Sequence, residues 1–350
     1  MNINAVDLFC GAGGLTRGLS NAGIDVGLGV DVDPMCEYPY ATNNDGEFLN
    51  HDVTSLSADL VSEHLDGGTY RLLAGCAPCQ PFSNYSRGKY NYEPEKWSLL
   101  NAFGRLVKET GPELVTMENV AQLKNHEVFL KFKQTLERSD YHVWFDHIDC
   151  HHYGLPQTRR RLVLLASRLG PIEPIAPTHP NKGDWQTVRK TIEDLPAIDA
   201  GETHGDDRLH SASSLTNINM KRIRASKPGG TWRDWPMRLV AKCHKKKSGK
   251  TYPGVYGRMA WDVPSPTMTT QCYGFGNGRF GHPQQDRAIS LREAAMLQSF
   301  DRDYAFLADD QRLNFSGIGR LIGNAVPVRL GEVIGESIVQ HVEQYGRTSH

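Results

Sequence analysis

Two cysteines three positions apart offer the first recognisable chemistry in this sequence. Cys76 and Cys79 stand in GCAPCQPFS, directly after the apolar run RLLAG at 71–75. Such a pair can form a redox dithiol, supply half of a zinc site, or contribute one nucleophile. No second C-x-x-C or histidine pair follows at the spacing of a structural zinc site, and Pro78 and Pro81 flank Cys79 where a redox pair would open a helix. We therefore favour Cys79 as a nucleophile in an exposed loop and expect no metal.

Charged residues adjoin two further apolar runs. Glu118 follows ELVTM at 113–117, and it is either an acid at the same sheet edge as Cys79 or a solvated cap of the next helix. The segment QTRRR enters the run RLVLLAS. With the period-two alternation of a strand, Arg159 and Arg161 point to one side and Arg160 to the other. Arginine pairs of this kind suit a phosphate or a base edge.

A glycine-rich turn suggests a cofactor. FCGAGG contains Phe9, Gly11, Gly13 and Gly14, follows an apolar run and opens a helical pattern, so that backbone amides can approach a ligand. Asp31 ends the next apolar run and can accept hydrogen bonds from ribose hydroxyls. The pattern predicts a cofactor that contains adenosine. Its spacing leaves open a dinucleotide or S-adenosylmethionine.

The order of the predicted elements indicates how these residues are positioned. Strands are predicted at 4–9, 26–31, 71–75, 113–117 and 161–167, alternating with helices at 15–22, 98–109 and 127–138. This alternation predicts an α/β fold with a Rossmann-like, doubly wound, mostly parallel sheet. Regular periodicity then fades among prolines and glycines, and it returns in helical patterns at 290–300 and 328–345. We therefore expect a catalytic and cofactor-binding domain at 1–172, a smaller, irregular, loop-rich domain at 173–285, and a segment at 286–350 that returns to the first domain.

Charge is distributed unevenly along the chain. The 39 Lys and Arg nearly balance the 40 Asp and Glu, which taken alone counts against a nucleic-acid partner. Residues 1–150, however, carry 11 basic against 21 acidic residues, whereas residues 151–300 carry 23 against 12. A basic segment beside an acidic remainder is either a solvated face or the surface for a polyanion, and the length of the segment favours the polyanion.

The composition also indicates in which cellular compartment the protein is expected. The sequence contains no apolar run of about 18 residues and no signal-peptide pattern, so we expect a cytoplasmic protein that does not enter a membrane. Seven cysteines without an export signal argue against a disulfide framework.

The motifs together resemble one family. FCGAGG, VDVD, PCQPFS, ENV, QTRRR, LREAAMLQSF and IGNAVP follow one another as in the DNA (cytosine-5)-methyltransferases of bacterial restriction–modification systems, over nearly the whole chain. The resemblance implies the fold of S-adenosylmethionine-dependent methyltransferases and makes 173–285 a target-recognition domain. It also implies a reaction, in which a methyl group moves from S-adenosyl-L-methionine to carbon 5 of a flipped-out cytosine in duplex DNA and S-adenosyl-L-homocysteine is released.

The resemblance assigns roles to the catalytic residues. Cys79 would add to carbon 6 of the cytosine, which makes carbon 5 enamine-like. Glu118 would protonate or hydrogen-bond nitrogen 3, Arg161 would bind the oxygen at position 2, and Arg159 would support Arg161. The base that removes the carbon-5 proton is not identified by the motifs.

Further roles follow for the cofactor and the DNA. Asp31 would hold the ribose of the cofactor. The other residues around the cofactor would be Phe9, Gly11, Gly13, Gly14, Asp52, Val53, Asn324 and Ala325. DNA contacts are expected in the loop after the nucleophile, from Gln80, Ser83, Arg87 and Lys89. In the recognition domain the candidates are Arg233, Arg258, Gln271, Asn277 and Arg279, which read bases, bind phosphates, or hold the domain together. We expect a monomer, with a cognate restriction endonuclease encoded separately.

Three other functions fit part of the sequence. An RNA cytosine methyltransferase would use the same scaffold, but a recognition segment of over 100 residues favours DNA. A DNA-binding protein with an inactive site would need a lesion in the motifs, whereas Cys79, Glu118 and Arg161 are all present. An NAD-dependent enzyme would leave the PCQ, ENV and GNAVP segments unexplained.

Overall fold

A seven-stranded sheet with the order β3-β2-β1-β4-β5-β7-β6 forms the centre of the computed structural model, which describes residues 2–78 and 98–346. The strands are β1 (Ile3–Leu8), β2 (Asp25–Asp31), β3 (Glu47–Asn50), β4 (Tyr70–Gly75), β5 (Leu114–Val120), β6 (His142–Asp149) and β7 (Arg160–Ser167). Strands β1 to β5 pair in parallel, and β7 runs antiparallel to both β5 and β6. The predicted α/β fold with a mostly parallel sheet is confirmed.

The helices of the described residues occupy the connections and the irregular segment. They are α1 (Gly14–Asn21), α2 (Glu37–Asn43), α3 (Ala58–Leu65), α4 (Ser98–Thr110), α5 (Glu127–Glu137), α6 (Val188–Ile192), α7 (Asn217–Ala225), α8 (Lys242–Lys245), α9 (Leu291–Leu297), α10 (Phe315–Asn324) and α11 (Val328–Tyr345). The helices predicted at 98–109, 127–138 and 328–345 are confirmed as α4, α5 and α11. None of the helices in the described residues is long and apolar enough to cross a lipid bilayer.

The strand order contains a reversal that matters for ligand binding. The chain passes from β1 outward to β2 and β3, and then returns to β4 on the other side of β1. Open parallel sheets bind ligands outside the carboxyl ends of the strands at such a reversal. We therefore expect the site where the loops after β1 and β4 begin.

Two strands and several helices are not evident from the sequence pattern. Strands β3 and β6 are the edges of the sheet, and most of their residues are only partly buried. An edge strand has neither the continuous apolar run of a buried strand nor a strict alternation, so its sequence resembles that of a loop. Helix α10 is among the helices that the pattern does not predict, because glycines interrupt its apolar residues.

Close backbone contact joins α1 to α11. A Cβ atom built on Gly18 would lie 2.4 Å from the Val328 carbonyl oxygen and 2.5 Å from the Glu332 nitrogen. A Cβ on Gly331 would lie 3.0 Å from the Leu15 carbonyl oxygen. These two helices therefore approach so closely that a side chain at position 18 would push them apart.

The described residues divide into two units. The first comprises Met1–Tyr153, Arg160–Thr178 and Ala325–His350, apart from the undescribed positions, and it contains the sheet. Its core lies between the parallel strands and α3, α4 and α5. The second comprises Gly154–Arg159 and His179–Asn324. The functional domain limits expected after 172 and 285 stay predictions.

The second unit has a core of its own despite its short helices. Aromatic and aliphatic side chains from α7 and from the segments around it pack together, namely Ile223, Trp232, Trp235, Leu239, Phe275 and Ala288. Arg287 and Glu293 form a fully buried ion pair with two nitrogen–oxygen distances of 2.7 Å. Glu293 also closes a capping box with Ser290 at the start of α9, so the charge pair and the helix start stabilise each other.

Asp7, within β1, is a fully buried acid whose ionisation opposes folding. Thr16 donates a 2.8 Å hydrogen bond to its Oδ2, while its Oδ1 has no hydrogen-bond partner among the described residues. Burial raises the pKa of Asp7 from 3.8 to about 7, the Thr16 hydrogen bond opposes this shift, and the nearby charge of Asp31 adds to it. In the unfolded chain Asp7 releases its proton near pH 3.8, so stability falls as the pH rises from there to about 7.

Replacing Asp7 by Asn should remove this pH dependence. We expect the stability of Asp7→Asn relative to the wild type to rise by about 2–3 kcal/mol between about pH 5 and pH 7. Denaturant unfolding of both proteins at each pH measures the difference, and Asp25→Asn, which removes an exposed carboxylate, is the control. A stability difference that is the same at both pH values would contradict the assignment.

Candidate active site

The loops after β1 and β4 begin side by side. Leu8 and Gly75 are partners in the parallel ladder, and the backbone N–H of Cys76 donates to the Leu8 carbonyl oxygen over 3.2 Å. The glycine-rich turn and the segment that leads toward Cys79 therefore both start at the carboxyl ends of neighbouring parallel strands. This is where the strand order reverses, and we call it the active-site edge of the sheet. This is the arrangement that the strand-end motifs predict.

The glycine-rich turn has a backbone that side chains disfavour. Gly11 and Gly13 have φ values of +56° and +86°. Phe9, which directly follows β1, also has a positive φ, of 61°. Gly13 is the N-cap of α1 and has no side chain that could cap the backbone N–H groups of the first turn. Gly14, the first helical residue, is buried.

Asp31 is held by the same turn. Its Oδ2 accepts a 2.9 Å hydrogen bond from the Gly11 N–H, and its Oδ1 accepts one of 2.9 Å from the Asp33 N–H. Burial raises the pKa of Asp31, and these two backbone hydrogen bonds oppose the rise. A carboxylate has about four lone-pair positions, so Asp31 retains acceptor capacity for hydroxyl groups.

Asp52 and Val53 follow the neighbouring strand. The His51 N–H donates to the Asp31 carbonyl oxygen over 3.0 Å, which ties the segment before Asp52 to the end of β2. Asp52 is exposed, and its hydrogen bond from the Thr54 N–H, 2.9 Å long, lowers the pKa of its carboxyl. Val53 is buried.

Glu118, in β5, is a carboxyl buried at the same edge. Its side chain is 3% exposed, and Oε1 lies 2.9 Å from the Arg161 Nε. The Cys76 thiol donates to Oε2 over 3.0 Å. Although Arg161 is close, Oε1 accepts no hydrogen bond from the described residues, so the Arg161 N–H is not aligned with it. Oε1 of Glu118 is thus a buried acceptor. Arg161 balances the charge of the carboxylate, and the described residues leave the hydrogen-bonding capacity of this oxygen unused.

The sheet register brings these groups together. Strand β7 is antiparallel to β5, with Val120 opposite Arg161, so the arginine at the start of β7 lies near the carboxylate close to the end of β5. Asn119, which follows Glu118 in β5, donates through Nδ2 to the Ala77 carbonyl oxygen over 2.9 Å.

Cys76 is a site residue that the motifs alone do not identify, because the C-x-x-C pattern makes it a bystander of Cys79. A signal for its position is nevertheless present in the strand spacing. Gly75 and Met117 are partners in the parallel ladder, and Cys76 and Glu118 each come one residue after them. Residues that follow a paired position by one on neighbouring parallel strands lie side by side, whether or not the strand continues.

Other predicted residues belong to the second unit or border it. Strand β7 begins at Arg160, so Arg159 precedes the strand; its buried guanidinium donates to the Met268 carbonyl oxygen over 3.3 Å. Asn324 is the exposed last residue of α10, whereas Ala325 belongs to the first unit and is buried.

The recognition candidates differ in how accessible they are. Arg233 and Gln271 are exposed, and Asn277 is partly buried. Arg258 is buried and donates to the carbonyl oxygens of Ile223 and His282 and to the Asp286 carboxylate. Arg279 is partly buried and donates to the carbonyl oxygens of two glycines, Gly229 and Gly230. The guanidinium groups of Arg258 and Arg279 are therefore engaged with the protein.

Several predicted residues fall elsewhere. Cys79, Gln80, Ser83, Arg87 and Lys89 lie outside the described residues. Within residues 2–78 and 98–346, no three or more His, Cys, Asp or Glu side chains are grouped so that they could hold a metal ion.

Comparison with known proteins identifies the family of this chain. The family model for C-5 cytosine-specific DNA methylases matches residues 3–340. The type II methylase M.HgiDII of Herpetosiphon aurantiacus is 48% identical over 97% of this chain and 95% of its own length. The type II methyltransferase M1.HphI of Haemophilus parahaemolyticus is 30% identical over 97% and 87%.

A solved structure shares the fold. The crystal structure of a DNA modification methyltransferase encoded within an Escherichia coli prophage superposes with a TM-score of 0.71 at 21% identity, over 98% of this chain and all of that one. Because the family model spans almost the whole sequence and a relative with 48% identity aligns with 97% of it, the chain belongs to the C-5 cytosine-specific DNA methylases.

Proposed function

We propose that this enzyme methylates carbon 5 of a flipped-out cytosine within a specific duplex DNA sequence, through a covalent adduct between Cys79 and carbon 6. The observation that carries the proposal is Glu118. Its buried Oε1 has no hydrogen-bond partner among the described residues, lies beside Arg161, and stands at the sheet edge from which the chain continues to Cys79. A cytosine stacked in a duplex does not expose carbon 6, so the base must leave the helix to react.

The described residues support the expected proton transfer. As the Cys79 thiolate forms a bond to carbon 6, the electron pair of the carbon 5–carbon 6 bond moves through the ring toward nitrogen 3. Glu118, which must carry a proton for this step, donates a proton or a hydrogen bond there and so stabilises the developing negative charge. Arg161, 14% exposed, retains N–H groups for the oxygen at position 2. As carbon 5 is methylated, nitrogen 3 returns any proton it received to Glu118. A base then removes the proton of carbon 5, the carbon 5–carbon 6 double bond re-forms, and the bond to Cys79 breaks with its electron pair returning to sulfur.

The turn after β1 fits S-adenosyl-L-methionine. When bound, this cofactor supplies a methyl group on a positively charged sulfur, which is electrophilic. Asp31 would accept from the ribose hydroxyls, and Asp52 would accept from the adenine amino group. Phe9, Val53, Asn324 and Ala325 would complete the frame. The left-handed Gly11 and Gly13 keep side chains out of the space in front of the helix, where a Cβ on Gly11 would meet nothing within 4 Å.

We also propose the biological setting. The 48% identical relative is a type II methylase, which supports a role in protecting host DNA from a cognate restriction endonuclease encoded separately. The enzyme would act as a monomer in the cytoplasm. An RNA substrate is the second candidate, and parallel assays of duplex DNA and tRNA with labelled cofactor distinguish the two.

Cys79→Ser should abolish methylation because a hydroxyl is a far weaker nucleophile than a thiolate. Bisulfite sequencing of a plasmid from cells that express the wild type should show protected cytosines in one sequence context, and the variant should show none. Purified Cys79→Ser should still bind S-adenosyl-L-homocysteine. Duplex DNA with 5-fluorocytosine at the target should trap the wild type covalently. Retained methylation by the variant would exclude the covalent mechanism.

Asp31→Asn should weaken cofactor binding and change its pH dependence. Only the ionised carboxylate accepts from both ribose hydroxyls, so affinity in the wild type should fall as acidification passes the pKa that burial has raised. We expect an affinity loss of about tenfold or more in Asp31→Asn, and little further loss on acidification. Calorimetric titration with S-adenosyl-L-homocysteine measures both, and a pH dependence equal to that of the wild type would exclude Asp31 as its source.

Two arginines of the second unit should behave differently. Arg258→Gln should lower the free energy of unfolding by about 2–4 kcal/mol, because it removes a buried guanidinium that pairs with the partly exposed Asp286 and donates several hydrogen bonds. Arg233→Ala, at an exposed position where the guanidinium lies 5.6 Å from the Trp232 ring centroid, should lower the free energy of unfolding by no more than about 1 kcal/mol and reduce the salt dependence of DNA binding by about one ion. Arg138→Ala, an exposed arginine of the first unit, is the matched control. Unchanged stability in Arg258→Gln would contradict its structural role.

A further inference from the structure

We propose that Cys76 is a positioning residue for Glu118, and that its thiol holds the carboxyl group in the orientation required for proton transfer to the target base. This inference rests on the proposed role of Glu118 in cytosine methylation. In the C-x-x-C pattern Cys76 is only a companion of Cys79. The structure, however, places its sulfur 3.0 Å from Oε2 of Glu118.

Two hydrogen bonds fix the backbone that carries the thiol. The Cys76 N–H donates to the Leu8 carbonyl oxygen of β1, and the Asn119 side chain of β5 donates to the Ala77 carbonyl oxygen. The segment after β4 is therefore tied to the strands on both of its sides. The backbone at Cys76 cannot move away from Glu118 without breaking one of these bonds.

The two carboxylate oxygens of Glu118 have different surroundings. Oε1 faces Arg161 at 2.9 Å without an aligned N–H, whereas Oε2 accepts from the Cys76 thiol. Among the described residues, Cys76 thus gives this buried carboxyl its directed hydrogen bond, while Arg161 balances its charge. A carboxyl with one oxygen anchored keeps the other in a defined direction, and that oxygen is the one with unused capacity.

A thiol suits a carboxyl that exchanges a proton. Sulfur is both a weak donor and a weak acceptor, so contact with Oε2 persists when Glu118 is ionised and when it is protonated. Alanine at position 76 removes the contact altogether. Serine at the same position keeps a donor and an acceptor on a side chain of similar shape. These two substitutions separate hydrogen bonding from simple space filling.

The test compares Cys76→Ala, Cys76→Ser and the wild-type enzyme on duplex DNA. We expect kcat to fall roughly ten- to thirtyfold in Cys76→Ala, the lower end of the fold-change that loss of a hydrogen bond to a charged group produces, because a thiol is a weak donor. KM for DNA and for the cofactor should remain near the wild-type values. Cys76→Ser should recover most of the lost kcat, and the rate of covalent trapping by 5-fluorocytosine DNA should follow kcat in both variants.

Cys150→Ala is the matched control, because Cys150 is another thiol of the same unit that donates to an oxygen, the carbonyl of Ile148. It should leave kcat unchanged. Melting temperatures of all variants identify any general loss of folding. A Cys76→Ala enzyme with wild-type kcat, with a change in KM alone, or with a loss that serine does not rescue would overturn the positioning role.

Failure of this inference is distinguishable from failure of the proposed function. If Cys79→Ser and Glu118→Gln are inactive while Cys76→Ala retains full kcat, the proposed function stands and Cys76 has no positioning role. If Glu118→Gln methylates DNA at the wild-type rate, the role of Glu118 is wrong and the inference about Cys76 fails with it.

Discussion

Burial of the Glu118 carboxyl group is the constraint on which the active-site edge of the sheet depends. A carboxylate that is almost removed from water needs a compensating charge and a hydrogen bond, since otherwise its desolvation opposes folding. The antiparallel strand β7 supplies the charge, because its register sets Arg161 opposite Val120. The segment after β4 supplies the hydrogen bond. The reversed direction of β7 therefore has a chemical consequence, and the same contacts that allow Glu118 to be buried also orient it.

The parts of this arrangement that depend on strand ends are predictable from the sequence. Residues at the carboxyl ends of buried parallel strands must lie near one another. The motifs alone therefore assign Asp31, Glu118 and the segment containing Cys76 to the end of the sheet where these strands finish. The edge strands β3 and β6 are not predictable in this way, because half-exposed strands carry no distinctive pattern. The partner of Glu118 at Oε2 also escapes prediction. Which side chain turns toward a neighbour depends on register, and register is set by the whole sheet.

Arginine roles in the second unit are the least predictable. Where periodicity fades, a sequence gives no sign of which side chains point inward, so a buried arginine resembles an exposed one. Arg258, Arg287 and Arg292 each pair with an acid of the same unit. Three of the 23 basic residues between 151 and 300 are therefore engaged inside the fold, so fewer cationic groups are available to a polyanion than the sequence count suggests, although the net excess over acidic residues is unchanged. The exposed residues, such as Arg233 and the lysines at 245–247, retain their charge at the surface.

The contact between α1 and α11 has a consequence for the order of folding. Helix α1 carries the turn that would hold the cofactor, yet the helix packed directly on its glycine face is encoded about 310 residues later. During synthesis on the ribosome, the N-terminal strands can pair long before that partner exists. Until α11 arrives, the face of α1 that carries Gly18 stays uncovered, whereas the turn itself is bonded to β2 through Gly11 and Cys10. The cofactor turn can therefore form early, but the helix behind it gains its final packing only after residues 328–345 have been made.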